Sequence, residues 1–151
     1  MLRWQDCFRK TSHSWATQMP TIGISYTPSA GSPVYSFQID NFGDNAMPRS
    51  YVGSFAFSQS LNGANILGGP AFRQKYQWVI STIMNTSDAQ SFDAMFQSWD
   101  VDRASGLTAA CGIIDETWGA VVDTSAVFIT APTYTRLSPI LTLVSFGLQE
   151  V

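Results

Sequence analysis

The fold is decided by residues 87–105, which read SDAQSFDAMFQSWDVDRAS. Four large apolar residues recur here at the i, i+3, i+4, i+7 spacing that places them on one face of an α-helix. They are Phe92, Met95, Phe96 and Trp99. Because such a stripe stabilises a helix by several kcal/mol when buried and hardly at all in isolation, it is typical of a helix packed on a sheet. We predict one helix over about 87–105, with these four residues as its helix-to-sheet core.

Both ends of this helix carry start and stop signals. Ser87 followed by Gln90 forms an S-x-x-Q capping box, which predicts Ser87 as the N-cap. Arg103 in the last turn and Gly106 just beyond it are usual at a helix C-terminus. Residues 85–87 also match a glycosylation sequon, and we interpret them as part of the helix cap.

Apolar and polar residues alternate through much of the remaining chain, which indicates β-strands with one buried face. Candidate strands lie at 21–26, 35–39, 51–57, 72–84, 107–114, 120–122, 126–130 and 141–148, with turns at 123–125 and 131–133 between the later ones. Six to eight strands and one helix predict a mainly β fold, an antiparallel β-sandwich or barrel flanked by a single helix. This single domain would span residues 21–151, after an extended N-terminal arm at 1–20.

Composition supports one ordinary globular domain with an unusual surface. The chain has 151 residues, of which 45% are hydrophobic and only 13% charged, and Ser and Thr together number 31. A polar but weakly charged surface suits repeated contact with other protein. The net charge of −3 gives no footprint for wrapping nucleic acid. We expect neither a signal peptide nor a membrane span.

The sequence offers no usable catalytic or metal-binding constellation, so we expect no enzymatic activity and no cofactor. A Ser-His-Asp site would depend on His13 in the irregular lead-in, and no G-x-S-x-G motif accompanies it. Zinc-ligand spacing and phosphate-binding glycine motifs are missing as well. Cys7 and Cys111 could pair, but in a reducing compartment they are better interpreted as small buried hydrophobes.

Two acidic pairs have spacings that argue against a functional site. Asp100 and Asp102 begin like a calcium loop, but the Gly and Glu that such a loop needs fall on other residue types, so a pairing of Asp100 or Asp102 with Arg103 is favoured. Asp115 and Glu116 are adjacent in a strand and would point to opposite faces, so they cannot flank one glycosidic bond.

Exposed aromatic residues suggest two binding hypotheses. Several large apolar residues stand in the predicted arm and in the 40–48 loop, where nothing local covers them. As interface candidates we select Trp4, Phe8, Trp15, Phe42 and Met47. Among the five Trp, Trp78 and Trp99 have core spacing, which leaves Trp4, Trp15 and Trp118 as possible sugar-stacking platforms of a carbohydrate-binding β-sandwich module.

The second half of the chain resembles small virion tail proteins of double-stranded DNA bacteriophages, including minor-tail, distal-tail, baseplate and tail-tube components. The resemblance covers roughly Phe72 to Val151. It lies in the strand 74–80, the helix with Phe92, Phe96, Trp99 and Asp100, the segment 103–106, the turn 115–117 and the final strand 144–151.

This resemblance implies a structural role in a virion tail. Its subunits assemble as rings, most often hexamers, around a channel through which DNA passes transiently, and they contact other tail or baseplate proteins. The implied protein is made in the host bacterial cytoplasm, is no enzyme and touches no membrane. It would be a distal-tail, baseplate or tube-end ring subunit, with a tail-tube or tail-completion subunit as the nearest alternative.

Overall fold

The computed structural model describes residues 21–42, 48–53, 56–68 and 74–151. In chain order these residues form β1 (Ile22–Tyr26), β2 (Tyr35–Ile39), β3 (Arg49–Val52), β4 (Ala56–Gln59), β5 (Asn65–Gly68), β6 (Lys75–Asn85), α1 (Thr86–Ala104), β7 (Cys111–Asp115), β8 (Val122–Arg136) and β9 (Leu141–Glu150). The predicted mainly β fold with one helix is confirmed.

Seven of the strands form one antiparallel sheet in the order β2-β1-β7-β8-β9-β6-β3. This sheet curls into a half-barrel. β4 and β5 pair with each other as a separate two-stranded sheet. After β2 the chain crosses to β6, where Phe42 makes an isolated bridge with Thr82. The curled sheet therefore has an inner face, which packs against α1, and an outer face.

The core lies between the inner face and α1. Phe92 is fully buried, and its ring lies 4.7 Å from that of Phe146 and 5.3 Å from that of Phe37. The four predicted helix-to-sheet residues all belong here: Phe92, Met95 and Trp99 are buried, and Phe96 packs half-buried against them. Trp99 also donates its indole N–H to the carbonyl of Ala109 at 3.0 Å, which satisfies its one polar group.

The helix begins at Thr86, earlier than the predicted capping box implies, so the prediction of Ser87 as N-cap is wrong. Asn85 is the N-cap and makes no side-chain capping bond. The strand β6 runs directly into the helix, and the N–H of Thr86 donates to the carbonyl of Ile140 at 2.9 Å. Tertiary contact with the β8–β9 turn therefore satisfies a donor that a local cap would otherwise serve.

The predicted helix end is confirmed. Gly106 has φ of 77° and donates to the carbonyl of Arg103, while Leu107 donates to that of Asp102. These two bonds form a Schellman motif, which needs the left-handed conformation that glycine adopts without strain.

Three predicted strand boundaries are wrong. Residues 122–136 form one continuous strand, although a turn was expected at 131–133. The pairing with β9 shifts register after Phe128 and again after Thr130, so Pro132, which has no N–H to donate, lies in an irregular part of the ladder. The predicted strand 51–57 is interrupted at Gly53, whose φ of 141° ends β3. Residues 107–110 precede β7 in non-strand conformation, and Leu107 is exposed there.

Candidate functional site

Asp115 is a fully buried carboxylate around which one end of the half-barrel is organised. Its Oδ2 accepts the indole N–H of Trp78 at 2.9 Å and lies 3.3 Å from Nη1 of Arg49. Its Oδ1 accepts both the backbone N–H and the hydroxyl of Thr117. Because a buried charge is costly unless it is paired and hydrogen-bonded, these partners fix Asp115 as an anchor of the fold rather than a free acid or base.

Arg49 connects this anchor to the surface. Its side chain is 9% exposed, its Nη2 donates to the carbonyl of Trp118 at 2.5 Å, and its guanidinium lies 5.2 Å from the centre of the Tyr76 ring. A planar guanidinium can hold a carboxylate, a carbonyl and a ring face at once. Arg49 therefore ties β3, β6, the end of β7 and the turn that carries Trp118 into one unit.

Beside this unit lies a cleft of about 490 Å³, which we call the Arg49 cleft. It is lined by Arg49, Tyr51, Tyr76, the segment 118–124 and Glu150. Two of its aromatic side chains are mostly solvent-exposed, Tyr51 at 65% and Trp118 at 62%. The rings of Tyr51 and Tyr76 lie 5.0 Å apart, since their residues are paired in the β3–β6 register. The Arg49 cleft is thus a concave surface with two open aromatic faces on its walls.

Glu150 is a second buried carboxylate, and unlike Asp115 it is among the residues that line the Arg49 cleft. It is 6% exposed, accepts the backbone N–H of Tyr76 at 2.9 Å, and accepts the Thr124 hydroxyl at 3.4 Å. Asp123 adds a carboxylate from the exposed side of the same lining. The cleft is lined by one basic and two acidic side chains, so the charged groups of its lining are mainly acidic.

A third buried carboxylate, Asp102, lies in the last turn of α1. It accepts the Tyr26 hydroxyl at 2.5 Å, the Ser29 hydroxyl at 2.6 Å and the Ser29 N–H at 2.8 Å. The pKa of Asp102 is lowered mainly by the hydrogen bond from the Ser29 hydroxyl and next by the bond from the Tyr26 hydroxyl. The pKa of Tyr26 is raised mainly by burial and next by its hydrogen bond to Asp102. These bonds join the C-terminal turn of α1 to β1 and to the turn that follows it.

The sheet has an outer face with little charge. We use this name for thirteen of the outward-pointing residues of the five central strands, namely Gly23, Ser25, Gly112, Ile114, Ser125, Val127, Ile129, Leu143, Ser145, Gly147, Val79, Ser81 and Ile83. None of these thirteen carries a charge, and four of the branched apolar ones are exposed, Val79 at 64%. Two outward-pointing charged residues border the outer face at one end, where β8 and β6 begin: Asp123, which is paired with Ile114 in the β7–β8 register, and Lys75 at the start of β6.

A second apolar surface is the hairpin tip, residues 137–140, which connects β8 to β9. Leu137 and Ile140 are exposed there, Ile140 at 70%. The backbone of the hairpin tip is held in place, because Arg136 donates to the carbonyls of Ser138 and Pro139, and the Ser138 hydroxyl accepts from the Ile140 and Leu141 N–H groups. The hairpin tip thus presents apolar side chains on a rigid turn.

The structure separates the predicted interface residues. Trp4, Phe8, Trp15 and Met47 lie outside the described residues, as does Cys7. Phe42 was expected at an exposed loop tip, but it is half-buried and packs on the core, because its bridge to Thr82 draws the chain onto β6.

The remaining sequence hypotheses have clear outcomes. Cys111 is buried as predicted, and burial raises the pKa of its thiol to about 12. Asp100 pairs with Arg103 at 2.6 Å, and Asp115 is buried while Glu116 is exposed, as their strand positions predicted.

The Arg49 cleft was missed by sequence reasoning except for Trp118. Arg49 and Tyr51 of β3 are distant along the chain from Glu150, and they meet it only through the β3–β6 and β6–β9 pairings. The one available signal was the run of alternating aromatic residues at 51–57 and 72–80, which indicated strands but not their partners.

No protein-family model matches this chain, and no curated protein matches it. Within the described ranges no group of His, Cys, Asp and Glu residues could hold a metal ion. The described helix is not long and apolar enough to cross a membrane.

Proposed function

We propose that this protein is a structural subunit of a bacteriophage tail, at the distal-tail, baseplate or tube-end ring, and that it acts by assembling with copies of itself around a DNA channel. The observation that supports self-assembly is the composition of the outer face. It combines exposed branched apolar side chains with Ser and Gly on a sheet of seven strands, and none of its residues is charged. The occupant proposed for it is a second copy of this chain.

Charge explains why a second copy suits this surface. A surface that carries unpaired charges is costly to cover with an apolar partner, because burying such charges costs several kcal/mol. The thirteen residues of the outer face carry no charge, and Asp123 and Lys75 stand at its edge, where β8 and β6 begin. Burial of side chains such as Val79, Ile114 and Ile129 would supply the favourable free energy.

A ring needs two different patches that fit one another, because each subunit uses one patch toward each neighbour. The hairpin tip supplies the second patch, since Leu137 and Ile140 are exposed apolar residues on a rigid turn at one end of the β8–β9 hairpin. The proposed contact seats the hairpin tip of one copy on the outer face of the next. The resemblance of the sequence to phage tail proteins, whose subunits form such rings, supports the placement in a tail.

The net charge of −3 is consistent with a DNA channel. Acidic side chains that face a lumen repel phosphate, so that DNA slides through rather than binding. Subunits of this kind need no catalytic site, which agrees with the use of Asp115 and Asp102 as structural anchors.

The experiment compares two valine variants of equal exposure by sedimentation velocity. Val79 on the outer face is 64% exposed, and Val101 on the outward side of α1 is 65% exposed. We expect the unmodified protein to form particles larger than a monomer whose fraction rises with concentration. Val79→Glu should shift these particles to monomer, whereas Val101→Glu should not.

The two variants separate assembly from folding, because each places one carboxylate on an exposed valine and leaves the core unchanged. A protein that stays monomeric at the highest attainable concentration would contradict the proposal. Equal loss of assembly in both variants would also contradict it, since that would assign the effect to net charge rather than to the outer face.

A further inference from the structure

The Arg49 cleft has the features of a ligand site that self-assembly does not explain. Trp118 and Tyr51 are two large aromatic side chains, both more than 60% exposed, that line the same cleft. Exposed aromatic faces are unfavourable in water, and here neither is on the outer face or the hairpin tip. Flat apolar ring faces of this kind pack well against the C–H faces of sugar rings, while the indole N–H and phenol hydroxyl stay available for hydrogen bonds.

The cleft is held in its shape before any ligand binds. Arg49 fixes the Trp118 carbonyl and the Tyr76 ring, and Asp115 fixes Arg49. Gly119, next to Trp118, has φ of 60°, a turn conformation that suits glycine. A preformed site spends less free energy on ordering its side chains when a ligand binds. Stacking on aromatic rings, although weak, can therefore give measurable affinity.

Two of the polar side chains that line the cleft are carboxylates, which accept hydrogen bonds when ionised. Glu150 is a buried carboxylate held in place by the Tyr76 N–H, and Asp123 is an exposed one. Sugar hydroxyls are donors from which an exposed carboxylate such as that of Asp123 accepts strongly. A carboxylate near an aromatic wall therefore favours a polyhydroxylated ligand.

Charge argues against an anionic ligand. The single cation of the lining, Arg49, is already 3.3 Å from Asp115, while Asp123 and Glu150 both repel negative charge. A phosphate, sulfate or uronate would therefore meet an acidic balance with no free cation in the lining to pair with.

The position of Arg49 also argues against a cationic ligand. Its guanidinium covers the Tyr76 ring at 5.2 Å, so one of the three aromatic faces is occupied by positive charge. A bound ammonium group would find an aromatic wall on Trp118 and Tyr51 only, beside a fixed guanidinium, rather than a closed cage of rings.

We infer that the Arg49 cleft binds a neutral saccharide, with Trp118 and Tyr51 as stacking platforms and the exposed Asp123 as an acceptor for its hydroxyls. The cleft volume of about 490 Å³ falls within the range usual for small-ligand sites, about 300–1,000 Å³. The inference does not depend on assembly, because none of the thirteen residues of the outer face lines this cleft.

The test titrates the protein with cellotriose, chitotriose, maltotriose and mannotriose, and follows binding by calorimetry and by tryptophan fluorescence. We expect at least one of these neutral sugars to bind and to change the emission. Trp118→Ala should weaken that binding by about tenfold, and Trp118→Phe should retain most of it, because phenylalanine keeps a stacking face. Tyr134→Ala is the matched control, an aromatic removed outside the cleft, and should leave binding unchanged.

Two further ligands, one anionic and one cationic, test whether the cleft prefers a neutral ligand. Trigalacturonate and choline should bind more weakly than the neutral sugars, and tighter binding of either one would overturn the inference. It would also be overturned if none of the four neutral sugars binds at millimolar concentration, or if binding is the same in Trp118→Ala as in the unmodified protein. Sedimentation of Trp118→Ala should match the unmodified protein, so failure of this site and failure of assembly remain distinguishable.

Discussion

At the residue scale, buried carboxylates connect the fold of this protein to pH. Asp102 accepts three hydrogen bonds from Tyr26 and Ser29, and these bonds favour its ionised form. Its pKa is therefore lower in the folded chain than in the unfolded chain, where a value of about 3.9 is usual.

This pKa shift predicts acid sensitivity. A carboxyl with a lowered pKa stabilises the fold at pH values above its unfolded pKa, and that contribution is lost as the pH falls through the folded pKa. We expect the urea midpoint of the unmodified protein to decrease below about pH 4. Asp102→Asn should have a lower midpoint at pH 7 and a flatter dependence on pH between about 2 and 5.

The matched control for this prediction is Asp100→Asn, because Asp100 is a partly exposed acid on the same helix turn whose described side-chain partner is Arg103. Its urea midpoint at pH 7 should change little. If Asp100→Asn and Asp102→Asn alter the pH dependence equally, the hydrogen bonds of Asp102 are not the cause.

At the scale of elements, Phe92 is one of the buried residues that hold α1 on the sheet. Phe92 is fully buried and its ring lies within about 6 Å of the rings of Phe37, Phe128 and Phe146. Removal of such a side chain loses both its burial and its packing, which typically costs about 3–5 kcal/mol. We expect Phe92→Ala to lower the free energy of unfolding by that amount in equilibrium urea denaturation.

Ala substitution at Val101 serves as the reference, since that side chain is exposed on the same helix. It should change the free energy of unfolding by no more than about 0.5 kcal/mol. A loss below about 1 kcal/mol for Phe92→Ala would contradict the placement of the helix on the inner face.

The helix and most strands could be predicted because they depend on local periodicity. The spacing of Phe92, Met95, Phe96 and Trp99 defined the buried stripe of α1, and Gly106 defined its end. The N-terminal boundary could not be predicted, because the Thr86 N–H is satisfied by Ile140, which is distant along the chain. The continuity of β8 through Pro132 likewise depends on its pairing with β9, where the register shifts.

The candidate sites were less accessible from the sequence for the same reason. Trp118 stood out because it lacked core spacing, but Arg49 and Glu150 reach it only through strand pairings between distant segments. The outer face also arises from strand order, since alternation shows which residues share one face of a strand but not which strands are neighbours.

At the scale of the whole molecule, the proposed assembly depends on two different apolar surfaces of one chain. The outer face lies across the five central strands, and the hairpin tip lies at one end of the β8–β9 hairpin. A contact between unlike surfaces continues from subunit to subunit until a ring closes, whereas a contact between like surfaces stops at a dimer. These two modes give different results when variants are mixed.

The most direct test mixes two variants, Val79→Glu on the outer face and Ile140→Glu on the hairpin tip. Each variant alone should sediment as a monomer, because each lacks one of the two surfaces that the contact needs. An equimolar mixture should form a heterodimer and nothing larger, since the intact hairpin tip of one variant can seat on the intact outer face of the other. A mixture that remains monomeric, or either variant alone forming the particles of the unmodified protein, would contradict assembly through these two surfaces.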